Sequence, residues 1–568
     1  MIKKTVLLLM FVCSLLGTSW AVTITIDGND ENQTMDGFGT SVMNWDSTFN
    51  CDEDFYRIYT QDLGCSIIRG ELHPAAITGE CMNLNETQFG PDIDANVALM
   101  DFEGYTRISI TGNWMEAVYN QRLDEMLIML SIWTPPHWMK TDAEFSESQG
   151  CQSYGGYLTR THENRTNFAR YVAAWIKGFS QTYNVPIDAL SVQNELDWAH
   201  PVESWTTSCV YHSAQYPEEV SERNDALPLG INEYNIAVNY IHDELNANGI
   251  YPLMMGPERS HIHTKVWELG KQMAYIEDMA NDGTMDIMDG LIHHGYHYEP
   301  GNREILYQYM DGYQHSDNTI LDHTGIRQYN KRVWQTEANT DRSGWDRAMK
   351  LARTIHDQLI ALDLSGYIQW SFSAEENKSW AFVLKPTKTS PVEKLEKYYG
   401  FKHFSRYIRP GSVRLGCSPD DPDGLSVSAY RHEANGTLTV VAVNAGSSQQ
   451  ATIQLPDAPA DISSFQVFTS QSGSVWQEST ASVSGNSVSV SVPGNGLVTM
   501  VGQGTPTVPI QTSRQAATAA DRASLAPRVQ LRLNGSDRGL FVANATTNGK
   551  RLLDLKGRMM QPDAKVRR

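Results

Sequence analysis

The sequence predicts an α/β fold: a closed (β/α)8 barrel of the TIM type with an appended antiparallel β-sandwich. Three observations predict it. Short apolar, strand-like runs alternate with amphipathic segments of helix length, the pattern of a parallel sheet wrapped by helices. The runs number eight: Gly37–Val42, Ser66–Glu71, Leu127–Trp133, Ala189–Asn194, Leu253–Gly256, Gly290–His297, Val333–Glu337 and Gly366–Phe372. Eight strands over about 350 residues suit a closed barrel. From about Tyr398 the texture shifts to Ser, Gly, Thr and Val, and Leu438–Val443 and Ser487–Val492 alternate as antiparallel strands do. A doubly wound open sheet is the alternative, but no G-x-G-x-x-G follows the first strand.

The segments follow in order. Residues 1–21 carry Lys3 and Lys4 ahead of an apolar run from Val6 to Leu16, then Ser19-Trp20-Ala21 as a small-x-small cleavage site. This reads as a removable leader of a secreted protein, soluble or held at the cell surface. The barrel is expected over 22–399, with the alternating Val22–Asp27 able to pair instead with the sandwich of 400–502. Residues 503–527, rich in Thr, Ala, Pro and Gln, read as a linker. The tail 528–568 holds ten Lys/Arg and three Asp, a net of +7. It reads as a sorting or attachment unit for an acidic surface or partner, with a plain flexible tail as the alternative.

Composition narrows the function. The 568 residues include 45 basic and 66 acidic side chains, a net charge of −21. With leader and tail set aside, the body 22–527 carries −30. That charge makes nucleic acid a poor partner, since counterion release from phosphates requires basic side chains, and it argues against an acidic polymer as substrate. A mean hydropathy of −0.40 excludes a multispan membrane protein. Six cysteines remain after the leader, Cys51, Cys65, Cys81, Cys151, Cys209 and Cys417, without C-x-x-C spacing. The expectation is one or two bridges among the loop cysteines, against the alternative of buried thiols.

Catalytic side chains of a parallel barrel sit where strands end in loops at the C-terminal face. Two runs end in glutamate there, LSVQNE on Glu195 and VWQTE on Glu337. One strand-end carboxylate is weak testimony. Two facing one sugar ring are the apparatus of most glycosidases, one protonating the leaving oxygen and one attacking the anomeric carbon. Arg69 ends the second run and is the candidate cation beside the ionised partner. Trp133, Trp138 and Trp370 stand at strand ends, where aromatic rings can pack on the C–H faces of a sugar.

The order and content of several motifs resemble glycoside hydrolase family 30. They are Asp36-Gly37-Phe38-Gly39, Ile132-Trp133-Thr134-Pro135-Pro136-His137-Trp138-Met139-Lys140, Ser191-Val192-Gln193-Asn194-Glu195 and Trp334-Gln335-Thr336-Glu337. Tyr398-Tyr399-Gly400 and Phe404 to Gly411 (FSRYIRPG) complete the set, and the resemblance spans about 22–500. It implies a retaining β-glycosidase with Glu195 as acid/base and Glu337 as nucleophile, and no metal or other cofactor. Asn194 matches the family's contact to a sugar 2-hydroxyl, and His294 and Tyr296 fall on its His-x-Tyr. For these two the plainer reading is a core histidine and a packed tyrosine. His261-Ile262-His263 and His293-His294 show no third ligand at metal spacing. Glu258 and Glu375-Glu376 read as solvated loop charges, with binding of substrate hydroxyls as the alternative.

The family spans several sugars. A polysaccharide substrate and endo-β-1,4-xylanase action are expected, with β-1,6-glucanase, β-1,6-galactanase or a glucosylceramidase-like activity as alternatives. Family members specific for glucuronoxylan hold the uronate with an arginine after strand eight; Trp370–Glu375 contains none, though Arg342 and Arg347 follow strand seven. Strict uronate dependence is therefore not expected. A catalytically silent binding or adhesion protein on the same barrel would be expected to lack one carboxylate, and both are present.

Overall fold

A computed structural model describes residues 21–42, 53–74, 89–121, 125–141, 144–146, 152–154, 156–196, 232–262, 266–314, 322–340, 343–374, 380–387, 389–456, 461–506, 541–543 and 551–553. The leader up to residue 20, most of the linker and most of the basic tail lie outside these. So do Cys51, Cys81, Cys151, Cys209, His263, Arg342 and Glu375-Glu376. Among the described residues no helix is long and apolar enough to cross a membrane.

Eight parallel strands close into a barrel: β1 (Gly37–Ser41), β2 (Ile67–Leu72), β3 (Leu127–Ile132), β4 (Ala189–Ser191), β5 (Leu253–Met255), β6 (Gly290–His294), β7 (Arg332–Glu337) and β8 (Gly366–Gln369). They coincide with the eight expected runs, though β4, β6 and β8 stop three residues short. Beyond the last ladder bond the chain turns into the loops, and those last residues form the site.

Strand alternation explains the interior. Ile67, Met129, Ala189, Met255, Ile292, Trp334 and Ile368, one from each of β2 to β8, meet in a buried apolar layer. On β1 the matching position is Gly39, where a Cβ would lie 1.8 Å from the Ile67 carbonyl oxygen. Two residues further along, period-two alternation brings Arg69, Ser131, Ser191, His294, Thr336 and Trp370 into the next layer toward the loops. Below, Asp36 accepts hydrogen bonds from Trp334 Nε1 at 2.8 Å and Ser365 Oγ at 2.7 Å, and pairs with Arg332 at 2.9 Å. The Asp-Gly motif that opens the barrel therefore closes its floor.

The appended domain is a mixed nine-stranded sheet rather than a wholly antiparallel one. The Ala21–Thr34 strand pairs antiparallel with Val413–Ser418 and parallel with Gln449–Gln454. Local alternation cannot reveal this, because both orientations give the same in-and-out pattern. The two sheet edges, Ser474–Ser482 and Ser487–Val492, are consecutive in the chain. The sheet must therefore roll over on itself, and it encloses a second core that includes Ile24, Val440, Ile453 and Phe465.

Helix Glu396–Ser405 joins the two parts. On the barrel side Tyr398 and Lys402 bind Asp62 at 2.5 and 2.6 Å, and Ser405 Oγ donates to the Leu63 carbonyl at 2.6 Å. On the sheet side the His403 ring meets Thr499 Oγ1 and Ser470 Oγ, both at 2.8 Å. Barrel and sheet belong to one compact unit, 1–511, and residues 512–568 form another. Within the second unit Phe541–Ala543 pairs antiparallel with Arg551–Leu553. Cys65 is buried and Cys417 carries a free thiol.

Because the obstacle at Gly39 is backbone, Gly39→Ala has nowhere to relax. It is expected to cost about 3 kcal/mol, measured by chemical denaturation; a loss under about 0.5 kcal/mol would contradict the packing described.

Candidate active site

Arg69, Glu195, Glu258, His294 and Glu337 converge at the loop end of the barrel. Arg69 has no exposed surface. Its Nη1 donates to Glu337 Oε2 at 2.7 Å, its Nη2 to Asn194 Oδ1 at 2.6 Å, and Nη2 lies 3.1 Å from Glu258 Oε1. Nε donates to Ser131 Oγ at 3.1 Å, and the guanidinium sits 4.7 Å from the centre of the Trp133 ring. A planar five-donor fork is the one side chain able to serve so many acceptors at once.

A bulge aims the β7 carboxylate. His293 pairs with Gln335 but His294 pairs with Glu337, so Thr336 is an extra residue on that strand. Strict alternation would send Thr336 and Glu337 to opposite faces. Here Thr336 Oγ1 donates to Glu258 Oε1 at 2.5 Å while Glu337 accepts from Arg69 and from the Tyr296 hydroxyl. Glu195 adopts a left-handed backbone with φ of 46°. Such a conformation costs a non-glycine residue about 1 kcal/mol and persists only where neighbours fix it. Asn194 N bonds Ile132 O at 2.8 Å on one side, and Leu196 N bonds Glu258 O at 3.4 Å on the other.

Glu258 departs from the sequence expectation of a solvated loop charge, since it is fully buried. Pro257 lacks an N–H and ends β5, yet pairing resumes beyond it, Asn194 with Glu258 and Arg259 with His293. That resumed ladder carries Glu258 inward. A buried carboxylate needs partners, and the polar run after Gly256-Pro257 gives no sign in the sequence that this one is buried.

The two adjacent histidines separate by alternation. His293 points away from the site toward Tyr309, with ring centres 5.9 Å apart, and burial, helped by the charge of His294, pushes it down to about 3. It is the core histidine. His294 points in, with Nδ1 3.0 Å from Glu195 Oε1 and Nε2 3.4 Å from Glu258 Oε1. Burial opposes its charge, but Glu337, Glu195 and Glu258 outweigh burial and push it up to about 10. The same balance acts in reverse on Glu258: burial would raise it, and Arg69, His294 and Thr336 hold it at about 2. Burial, reinforced by Glu337 and Glu195, raises the Tyr296 hydroxyl well above its ordinary value, so Tyr296 acts as a hydrogen-bond donor.

Trp133 and Trp370 lie side by side with ring centres 6.5 Å apart, and Trp380 packs against this pair. Trp380 escaped the sequence reading because it lies in a loop beyond the last strand. Trp138 is not brought to this floor and packs half-buried against the main barrel core. His261 stacks on His297 at 4.8 Å. Glu195, His294 and Glu337 each place a ligand-type atom within 4.8 Å of the others, a spacing that admits a cation. Two positive charges already fill that role, from Arg69 and from an imidazolium that has no lone pair to offer where its nitrogens carry protons.

No protein-family model matches the chain. Glucuronoxylanase XynC of Bacillus subtilis (strain 168) is 23% identical over 334 residues, which are 57% of this chain and 63% of that protein. A second Bacillus subtilis glucuronoxylanase XynC is 21% identical over 56% of this chain and 60% of its own length. The match thus spans less than two thirds of these relatives. Among solved structures, the catalytic domain of GH30 xylanase C from Talaromyces cellulolyticus superposes with a TM-score of 0.62 at 19% identity, covering 85% of this chain and all of that one. A family 30, subfamily 8 xylanase from Clostridium acetobutylicum gives 0.60 at 18% identity with the same coverage.

If the charges are balanced from within, a chelator has nothing to remove. Dialysis against EDTA is expected to leave the thermal unfolding midpoint unchanged, and a fall of several degrees would reveal a structural ion. In fold, and in the stretch of sequence shared with these xylanases, the chain resembles glycoside hydrolase family 30.

Proposed function

We propose that the chain is a retaining glycoside hydrolase, an endo-β-1,4-xylanase that is exported through its leader. The observation that carries the reading is the approach of Glu195 and Glu337, whose nearest ligand atoms lie within 4.8 Å. Retaining enzymes hold their carboxyl groups about 5–5.5 Å apart, whereas inverting enzymes leave roughly 6.5–9.5 Å for a water. In the first step Glu337 attacks the anomeric carbon as the glycosidic C–O bond breaks, and Glu195 gives its proton to the leaving oxygen. In the second, Glu195 takes a proton from water, the water oxygen attacks the anomeric carbon, and Glu337 leaves as carboxylate.

Charge balance supports this assignment. With Glu195 protonated, the cations Arg69 and His294 match the anions Glu258 and Glu337, and the cluster is neutral. Once Glu337 becomes an ester it loses its charge, and the cluster is neutral again only if Glu195 is ionised, the form required of the base. Each intermediate therefore favours the protonation state that the next step needs. Asn194 engages Arg69 through Oδ1, which turns its Nδ2 donor toward a sugar 2-hydroxyl. Tyr296 and Arg69 hold Glu337 in line, and the Trp133–Trp370 floor receives the sugar face.

The xylan assignment draws on the shared sequence with the two glucuronoxylanases. The absence of arginine from Trp370–Glu375 favours action that does not require a uronate. Incubation of the culture-medium protein with a 2-fluoro xylobiosyl inhibitor should place the label on Glu337 of a chain lacking residues 1–21, and both glucuronoxylan and arabinoxylan should be cut. Glu337→Gln should lower turnover by roughly 10⁴-fold or more with folding intact. Activity on a β-1,6-glucan alone would refute the xylan assignment, and a label on another residue would refute the nucleophile.

A further inference from the structure

We propose that Glu258 is a positioning residue of this site, a permanent buried anion that keeps both Arg69 and His294 charged and oriented toward the two catalytic carboxyls. One oxygen, Oε1, does this: it lies 3.1 Å from Arg69 Nη2, 3.4 Å from His294 Nε2 and 2.5 Å from Thr336 Oγ1. His294 then reaches Glu195 with its other nitrogen at 3.0 Å, and Arg69 reaches Glu337 at 2.7 Å. Glu258 thus sits one step behind both catalytic groups without approaching substrate.

The groups facing this carboxylate can be named element by element. Arg69 comes from β2, Glu195 follows β4, His294 and then Tyr296 come from β6 and its loop, and Glu337 ends β7. Tyr234, on helix Asn232–Ala247, lies within electrostatic reach and stays neutral, since burial and then Glu258 itself push its hydroxyl far up. Arg259 is the buried chain neighbour. Without the Glu258 charge, two cations would face Glu337 alone whenever Glu195 is protonated. The cluster would relieve this excess by releasing a proton, from His294 or from Glu195, at a lower pH than before.

The kinetic consequence rests on the glycosidase reading; the titration does not. The test compares the full-length chain with Glu258→Gln, which keeps the side-chain shape and an oxygen able to accept from Thr336. Histidine-selective ¹⁵N labelling follows the His294 imidazole, assigned by its loss in His294→Asn. In the unsubstituted protein it should remain protonated up to its value of about 10. In Glu258→Gln its titration should fall by at least about two pH units. The alkaline limb of kcat/KM against pH should move acidward by at least about one unit. Glu258→Asp should restore both in part. An unmoved His294 titration in a folded Glu258→Gln protein would overturn the proposal, whatever its activity. Altered His294 titration in a chain that hydrolyses no glycoside would leave the positioning role standing and refute the glycosidase reading.

Discussion

A guanidinium with no exposed surface has to be neutralised where it lies, and Arg69 is that guanidinium. Removing an ion of this size from water costs several kcal/mol even after relaxation. The apolar layer beneath it offers no compensation. Glu337, Glu258, Asn194 and Ser131 are therefore drawn to it from four different strands or strand ends, each at hydrogen-bond or ion-pair distance. The barrel supplies the rigidity that lets one fork meet these acceptors, and they in turn fix where the Glu337 carboxyl stands. Architecture and chemistry meet at this residue.

The same constraint explains why His294 is charged. With Glu195 protonated, the carboxylates of Glu258 and Glu337 around a single arginine would leave excess negative charge in a buried place, and the imidazolium removes it. An ion network whose charges balance internally also has little use for a metal. Its cost is sensitivity: every member is needed, because a lone buried charge is far more expensive than a paired one. The β7 bulge and the left-handed Glu195 are backbone concessions to this arrangement, each tolerated because ladder bonds on both sides hold it.

Much of this was legible in the chain. The eight barrel strands are short apolar runs whose burial on both faces erases ambiguity, and the glutamates closing the fourth and seventh mark the loop face where the charged cluster forms. Trp133 and Trp370 follow β3 and β8, which β1 and β2 separate in the barrel, so their meeting could not be read from strand order. Glu258 was hidden because Gly256-Pro257 announces a loop, and only the resumed pairing with Asn194 shows that the chain turns inward. Trp138 misled because its motif position resembles that of Trp133, while the short 3₁₀ turn His137–Met139 rotates it onto the core. The parallel partner of Ala21–Thr34 lies more than four hundred residues away in the chain, beyond any local pattern.

A cluster that stays neutral must release one proton when Glu337 is esterified. Infrared or ¹³C-carboxyl titration of Glu195, before and after Glu337 is converted to a stable glycosyl ester, measures this directly. Neutrality requires the Glu195 pKa to fall on esterification by at least about two units, since its anionic neighbour has been discharged. A Glu195 that titrates identically in the free and the esterified protein would contradict the account.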